Sequence, residues 1–77
     1  MKRRRSAQTR YVVCLQNDGY PEALELRKLY QVLPDPQADK VGHLRVIDES
    51  GEDYLYPKSF FATVRVSEPI KRALAAH

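Results

Sequence analysis

The sequence predicts a small, mainly β domain with a short helix at its C-terminal end. Three observations support this fold class. Segments rich in β-branched and aromatic residues recur along the chain, an acidic turn containing Gly51 separates two of them, and Ser67-Glu68-Pro69 has the composition of a helix start. The chain has 77 residues and one cysteine, so it allows one small domain and no internal disulfide.

Basic residues are concentrated at the beginning of the chain, where residues 1–10 contain no acidic residue. Residues 11–77 contain 8 basic and 10 acidic residues. The cations of the first segment are Lys2, Arg3, Arg4, Arg5 and Arg10. We expect residues 1–10 to form a disordered basic arm in front of a mildly acidic domain. No apolar stretch of secretory or membrane-spanning length follows the arm, which predicts a cytoplasmic protein.

The first strand is predicted at residues 11–15, which combine aromatic and β-branched side chains. Gly19 and the two polar residues before it end this strand in a turn. Residues 21–33 then fit two interpretations. A helix would have Pro21 in its first turn and leucines at helical spacing, whereas a strand would use the alternation and the β-favouring Tyr-Gln-Val of residues 28–33.

The second half of the chain is easier to interpret. Pro34 and Pro36 end the ambiguous segment, and residues 37–42 form a turn or a short helix with Gly42 at its end. Residues 43–48 and 53–57 are predicted to form a β-hairpin, with Gly51 in the left-handed conformation. A last strand follows at residues 60–66, and a short helix at residues 67–77.

The segment from Asn17 to Phe60 contains NDGYPEALELRKLYQVLPD and LRVIDESGEDYLYP, and this pattern resembles small bacterial proteins of uncharacterised function. Those proteins are similar in turn to SH3-like small β-barrels. The resemblance implies a strand at the end of the ambiguous segment, with residues 21–25 as the turn before it. The expected fold is therefore an SH3-like small antiparallel barrel of about five strands at residues 11–66. The alternative is an α+β fold, with a helix at residues 21–33 on a four-stranded antiparallel sheet.

Strand alternation predicts which side chains form the core. Arg45 and Arg65 are expected to face solvent, so their neighbours on either side face inward. The predicted inward residues are Val12, Cys14, Leu24, Tyr30, Val32, Leu44, Val46, Phe60, Ala62, Val64 and Val66, with either Leu55 or the pair Tyr54 and Tyr56. The apolar residues expected to face outward are Tyr11, Val13, Leu15, Leu29, Leu33, Ile47, Tyr54 and Tyr56. This outward apolar surface requires a cover, either the terminal helix through Ile70, Ala73 and Leu74 or a partner chain.

No pattern in the sequence predicts catalysis or metal binding. The acidic turn at residues 48–53 resembles the start of a calcium loop, but Asp53 stands where glycine is needed and Ser59 where glutamate is needed. Cys14 and His43 are the only candidates for a nucleophile and its base, and Cys14 lies in an apolar strand where thiols are usually inert. We therefore expect a protein that is not an enzyme and uses no cofactor or metal.

Two binding functions are predicted. The first is a non-enzymatic interaction module that binds a protein partner, or a second copy of itself, through Tyr11, Ile47, Tyr54 and Tyr56. The alternative is a nucleic-acid-associated protein that uses Lys2, Arg3, Arg4, Arg5 and Arg10 of the basic arm. Acidic residues beside Tyr54 and Tyr56 argue against a role for these tyrosines in nucleic-acid binding.

Overall fold

The computed structural model describes residues 10–75, which form one antiparallel sheet and two helices. The strands in chain order are β1 (Arg10–Cys14), β2 (Leu29–Leu33), β3 (His43–Ile47), β4 (Asp53–Pro57) and β5 (Phe61–Val64). Helix α1 (Pro36–Lys40) precedes β3, a 3-10 turn (Lys58–Phe60) joins β4 to β5, and α2 (Glu68–Ala75) follows β5. The sheet order is β4-β3-β2-β1-β5, with β4 and β5 at its two edges. The fold is mainly β with a C-terminal helix, and the sheet is not closed into a barrel.

The ambiguous segment contains a turn and a strand, so the predicted strand is confirmed and the alternative helix at residues 21–33 is wrong. Leu24 is fully buried between the turn and β2, and Arg27 adopts a positive φ of 63° that ends any helical path. The amide of Arg27 donates to the carbonyl of Cys14 at 2.6 Å, and the amide of Cys14 donates to the carbonyl of Lys28 at 3.0 Å. These backbone hydrogen bonds to β1 outweigh the local preference for helix.

The predicted hairpin at residues 43–57 is confirmed. The amide of Gly51 donates to the carbonyl of Asp48 at 2.9 Å, and the amide of Asp48 donates to the carbonyl of Glu52 at 3.1 Å. Gly51 has a φ of 87°, which is the left-handed conformation expected for a three-residue turn with a bulge. α1 ends before Gly42, whose φ of 79° likewise agrees with its predicted place at the end of a short helix.

One face of the sheet, here called the core face, carries the hydrophobic core. Its buried side chains come from four strands, the loop before β2 and the 3-10 turn. They are Val12, Cys14, Leu24, Tyr30, Val32, Leu44, Val46, Tyr56 and Phe60. All of the inward residues predicted for β1, β2 and β3 are therefore in the core.

The orientation predicted for β5 is wrong. Ala62 pairs with Val13, and Val64 pairs with Tyr11, so both lie on the opposite, outer face of the sheet. Phe61 pairs with Cys14 and lies on the core face instead. The 3-10 turn inserts Phe60 into the core directly before the strand, and this shifts the alternation by one residue. The predicted strand was also too long, because β5 ends at Val64.

Helix α2 lies over part of the outer face. Leu74 lines a common cavity with Tyr11, Leu29 and Ile47, and Tyr11 is only 6% exposed. The predicted apolar stripe of α2 is only partly used, since Ile70 is 48% exposed and Ala73 is exposed as well. The terminal helix therefore acts as a cover for this face through Leu74.

Replacing Gly51 with valine should destabilise the protein by roughly 1–3 kcal/mol, because a β-branched side chain is strained at a φ of 87°. The Cβ atom has no neighbour within 4 Å, so crowding does not contribute. Asparagine tolerates positive φ, and Gly51→Asn should lose less. Urea unfolding of both variants measures the difference, and equal stability of Gly51→Val and the native chain would contradict the assigned turn.

Replacing Leu74 with aspartate should expose the outer face, increase binding of a hydrophobic dye and lower the free energy of unfolding by about 1–2 kcal/mol. Ile70→Asp is the matched control, since it introduces the same charge into the same helix at an exposed position. If the two variants lose the same stability, α2 does not cover Tyr11 and its neighbours in solution.

Candidate interaction surfaces

The four residues predicted to bind a partner do not form one surface. Tyr11 and Ile47 lie on the outer face of the sheet, Tyr11 beneath α2 and Ile47 partly buried beside it. Tyr54 and Tyr56 lie on the core face, opposite Val46 and Leu44. Of the four, Tyr54 alone keeps a large exposed area, at 52%.

The outward orientation predicted for Tyr56 is wrong, because its side chain is 1% exposed. Directly opposite residues of an antiparallel pair share a face, and Leu44 and Val46 are both in the core. The bulge at Gly51 sets this register, so the tyrosines and not Leu55 point toward the core. Tyr11 is also buried, because α2 returns over the start of β1.

An aromatic cluster holds the Tyr54 ring at the rim of the core. The ring of Tyr56 lies 5.1 Å from that of Tyr54 and 5.0 Å from that of Tyr20, centroid to centroid. Tyr20 also contacts Phe60 in a tilted edge-on arrangement at 6.2 Å. These edge-to-face contacts fix Tyr54 in a defined orientation while more than half of its surface stays accessible.

The two buried tyrosine hydroxyls of the core donate to neighbouring carboxylates of the hairpin turn. The Tyr56 hydroxyl donates to Asp48 Oδ2 at 2.6 Å, and the Tyr30 hydroxyl donates to Glu49 Oε2 at 2.5 Å. Tyr30 also accepts a hydrogen bond from the amide of Glu25 at 2.7 Å, and Lys28 Nζ lies 2.6 Å from Glu49 Oε2. Both tyrosine hydroxyls that the core buries at this end of the sheet therefore have a partner.

Burial and these hydrogen bonds shift the pKa values of the two tyrosines and of their two carboxylate acceptors. Burial raises the pKa of both tyrosines, and the carboxylate acceptors raise it further. Lys28 and then Tyr30 lower the pKa of Glu49 below its ordinary value. Burial alone would raise the pKa of Asp48, but hydrogen bonds from Ser50 and Tyr56 outweigh burial and leave it lowered. The acidic turn is thus a set of hydrogen-bond acceptors for the core.

The other chemical candidates are dispersed in the structure. Cys14 is fully buried, its thiol lies 3.2 Å from the carbonyl of Gln16, and burial raises its pKa. His43 begins β3 on the outer face, with Nδ1 3.1 Å from the carbonyl of Val41, and does not share an environment with Cys14. Within residues 10–75, no group of three or more His, Cys, Asp and Glu side chains is arranged to hold a metal ion.

A groove runs along β4, and sequence reasoning did not identify it. Its apolar part is exposed, with Val41 at 70%, Tyr54 at 52% and Leu55 at 36%. The groove has a volume of about 530 Å³, and its other lining residues are Tyr20, His43, Arg45 and Asp53. Strand order brings these residues together from three segments. The only local signal in the sequence is that Tyr54 and Leu55 are adjacent apolar residues of a predicted strand, so one of them must face away from the core.

Backbone groups of β4 face this groove. The amide of Lys58 donates to Gly42, and the carbonyl of Glu52 accepts from Asp48, so alternate residues of β4 bond toward β3. The amides and carbonyls of Asp53 and Leu55 therefore point away from the sheet. Among residues 10–75, no backbone group pairs with this edge. We call these backbone groups, with the side chains of Val41, Tyr54 and Leu55, the β4 edge surface.

The predicted nucleic-acid-binding residues fall mostly outside the described part of the chain. Lys2, Arg3, Arg4 and Arg5 of the basic arm lie outside residues 10–75. Arg10 is described and exposed, and it begins β1, so the first strand starts one residue earlier than predicted.

Comparison of the chain with protein-family models, with curated proteins and with solved structures found no match. Within residues 10–75, neither helix has the length and apolar composition needed to cross a membrane.

Replacing Glu49 with glutamine should lower stability at about pH 7 by roughly 1 kcal/mol, because a charged acceptor is lost while an amide acceptor remains. The lowered pKa of Glu49 stabilises the native chain above its ordinary value of 4.5, and this contribution is lost as the pH falls through the folded value. The stability curves of the native chain and Glu49→Gln should therefore converge as the pH falls below 4.5 and through the folded pKa of Glu49.

The matched control is Glu52→Gln in the same turn, since the Glu52 side chain accepts no hydrogen bond from any residue in 10–75. Thermal unfolding across this pH range measures both variants. A constant difference between Glu49→Gln and the native chain at every pH would show that the Glu49 charge does not stabilise the fold.

Proposed function

We propose that this protein is a non-enzymatic interaction module that binds an extended segment of a partner protein along the β4 edge surface. The observation that carries this proposal is the unpaired outer edge of β4 between exposed apolar side chains. A sheet edge of this kind accepts an additional strand through main-chain hydrogen bonds, while side-chain contacts on either side provide selectivity.

The available backbone groups define the length of the partner segment. Asp53 and Leu55 each offer one amide and one carbonyl, and Pro57 offers a carbonyl without an amide. A partner strand can therefore make about four main-chain hydrogen bonds before Pro57 ends the pairing. This limit favours a short linear segment over a long strand of a second sheet.

Side chains on the two sides of β4 differ in character. Tyr54, with Tyr20 beside it, offers an aromatic surface on the core-face side. Leu55 and Val41 offer aliphatic surface, and the carboxylate of Asp53 is paired with Arg45 at 2.7 Å. Arg45 also pairs with Asp35 at 2.8 Å, so one guanidinium pairs with two carboxylates beside this edge. We expect the partner segment to present consecutive apolar residues, one to Tyr54 and the next to Leu55, because successive side chains of a strand point to opposite faces.

The other edge strand, β5, is a weaker candidate. Its outward-facing backbone groups belong to Phe61 and Thr63, because the carbonyl of Phe60 accepts from the amide of Leu15. Phe61 is partly buried against Tyr56, with ring centroids 6.3 Å apart. No large apolar side chain described for β5 is as exposed as Tyr54 or Leu55.

We also propose that the fold belongs to the SH3-like class of small β-barrels as an open member, in which β4 and β5 do not pair. Two features support this. β5 returns to pair with β1 on the side opposite β2, and the Tyr56 ring of β4 meets the Phe61 ring of β5 across the core. The sheet is thus curved enough for side chains of its two edge strands to touch.

Replacing Leu55 with lysine should abolish partner binding and leave the fold intact, because charged residues on an edge strand oppose strand addition. Leu26→Lys is the matched control, since Leu26 is 39% exposed and lies in the loop before β2. Affinity capture from the source cell with the native chain and both variants identifies proteins that Leu26→Lys retains and Leu55→Lys loses.

Hydrogen exchange on the purified complex then tests the mode of binding. The amides of Asp53 and Leu55 should exchange readily in the isolated protein and become protected in the complex. A partner that binds Leu55→Lys as tightly as the native chain, or that leaves these two amides unprotected, overturns the proposal.

A further inference from the structure

A second surface, at the opposite edge of the sheet, carries a concentration of positive charge. Arg10 at the start of β1, Arg65 after the end of β5 and Lys71 on α2 line one cavity of about 370 Å³. The rest of its lining is Tyr11, Thr63, Val64 and Val66. The lining therefore contains three cations and no carboxylate.

The charges of this cavity are not neutralised by strong ion pairs. Within residues 10–75, neither Arg10 nor Arg65 has a carboxylate oxygen within 4 Å. Lys71 lies 3.5 Å from Glu68 one turn earlier in α2, where the Glu68 side chain is 71% exposed. The charge of Arg10 contributes to lowering the pKa of Asp39, but the Asp39 carboxylate is paired with Lys58. Surface pairs of these kinds contribute little, so the cavity keeps a positive potential.

The distribution of acidic residues strengthens this potential. β1 begins and β5 ends at the cavity, whereas β1 ends and β4 begins at the opposite end of the antiparallel sheet. Most of the acidic residues of the domain lie at that opposite end, in the two loops and at the start of β4. They are Asp18, Glu22, Glu25, Asp48, Glu49, Glu52 and Asp53. The domain is thus polarised along its strands, with the cavity at its positive end.

The basic arm joins the domain at this cavity. Arg10 is both a lining residue and the last cation of the arm, and four more cations precede it at Lys2, Arg3, Arg4 and Arg5. We propose that Arg10, Arg65 and Lys71 form a site for the backbone phosphates of a nucleic acid.

The side chains of the cavity are suited to the phosphate groups of a nucleic-acid backbone and not to its bases. Arginine and lysine contact phosphate oxygens, and the exposed Thr63 adds a hydroxyl and an outward-facing amide at the edge of β5. Tyr11 is buried and offers no ring for base stacking, so the site should bind with little sequence preference. A membrane surface fits less well, because Ile70 is the only large exposed apolar side chain that the described part of α2 provides for insertion.

The test measures binding of the full chain to a fluorescent DNA duplex of about 20 base pairs as the salt concentration is raised. Arg65→Gln and Lys71→Gln should each reduce the steepness of the log–log salt dependence by about 0.9, and reduce affinity roughly 3- to 10-fold at low salt. Arg27→Gln removes the same charge from the acidic end of the domain and should leave both quantities nearly unchanged. A change of sequence in the duplex should have little effect.

A further variant separates the cavity from the arm. Glutamine at Lys2, Arg3, Arg4 and Arg5 together should weaken binding, but the remaining affinity should still fall when Arg65→Gln is added. The proposal is overturned if the native chain does not bind duplex at low salt, or if Arg27→Gln weakens binding as much as Arg65→Gln. It is also overturned if Arg65→Gln and Lys71→Gln reduce binding to anionic lipid vesicles but not to DNA.

Discussion

Two tyrosine rings in the core of a sheet with short strands require acceptors for their hydroxyl groups, and this requirement organises one end of the molecule. Asp48 and Glu49, adjacent in the hairpin turn, accept from Tyr56 and Tyr30 respectively. Leaving either hydroxyl buried without a partner would cost about 1–3 kcal/mol. The turn must therefore stand directly over the end of the core, and the register set by the Gly51 bulge places it there.

The same contacts hold the long connection between β1 and β2. The amide of Glu25 donates to the Tyr30 hydroxyl, and the amide of Glu49 donates to the carbonyl of Ala23 at 3.0 Å. Lys28 closes the arrangement through its ion pair with Glu49. A segment that has helical propensity is in this way bound to the hairpin turn, and Leu24 beneath it is fully buried. In the sequence, the acidic turn resembles the start of a calcium loop. In the structure, two of its carboxylates stabilise the fold by accepting hydrogen bonds from the core tyrosines.

Local patterns were sufficient for the strands and turns but not for the surfaces. Alternation around Arg45 correctly placed Leu44 and Val46, and Gly51 was correctly assigned to a left-handed turn. Phe60 and Phe61 could not be ordered in this way, because a 3-10 turn changes the phase of alternation without a distinctive local pattern. The orientation predicted for Tyr56 is wrong for a related reason. The face of the sheet on which its side chain lies depends on the exact position of the bulge at Gly51, which local patterns do not give. The sequence does not predict that Val41 belongs to the β4 edge surface or that Lys71 lines the basic cavity. The order of the strands, which local patterns do not contain, brings each residue to its surface.

The position of β1 in the sheet also has a consequence for synthesis of the chain. β1 is the first strand made, yet it lies between β2 and β5, and its pairing of Tyr11 with Val64 joins residues roughly fifty positions apart. The hairpin of β3 and β4 can form as soon as it leaves the ribosome, whereas β1 keeps one side unpaired until β5 emerges. Completion of the sheet must therefore wait until β5 has been synthesised, and α2 can cover Tyr11 only after residues 68–75 have emerged.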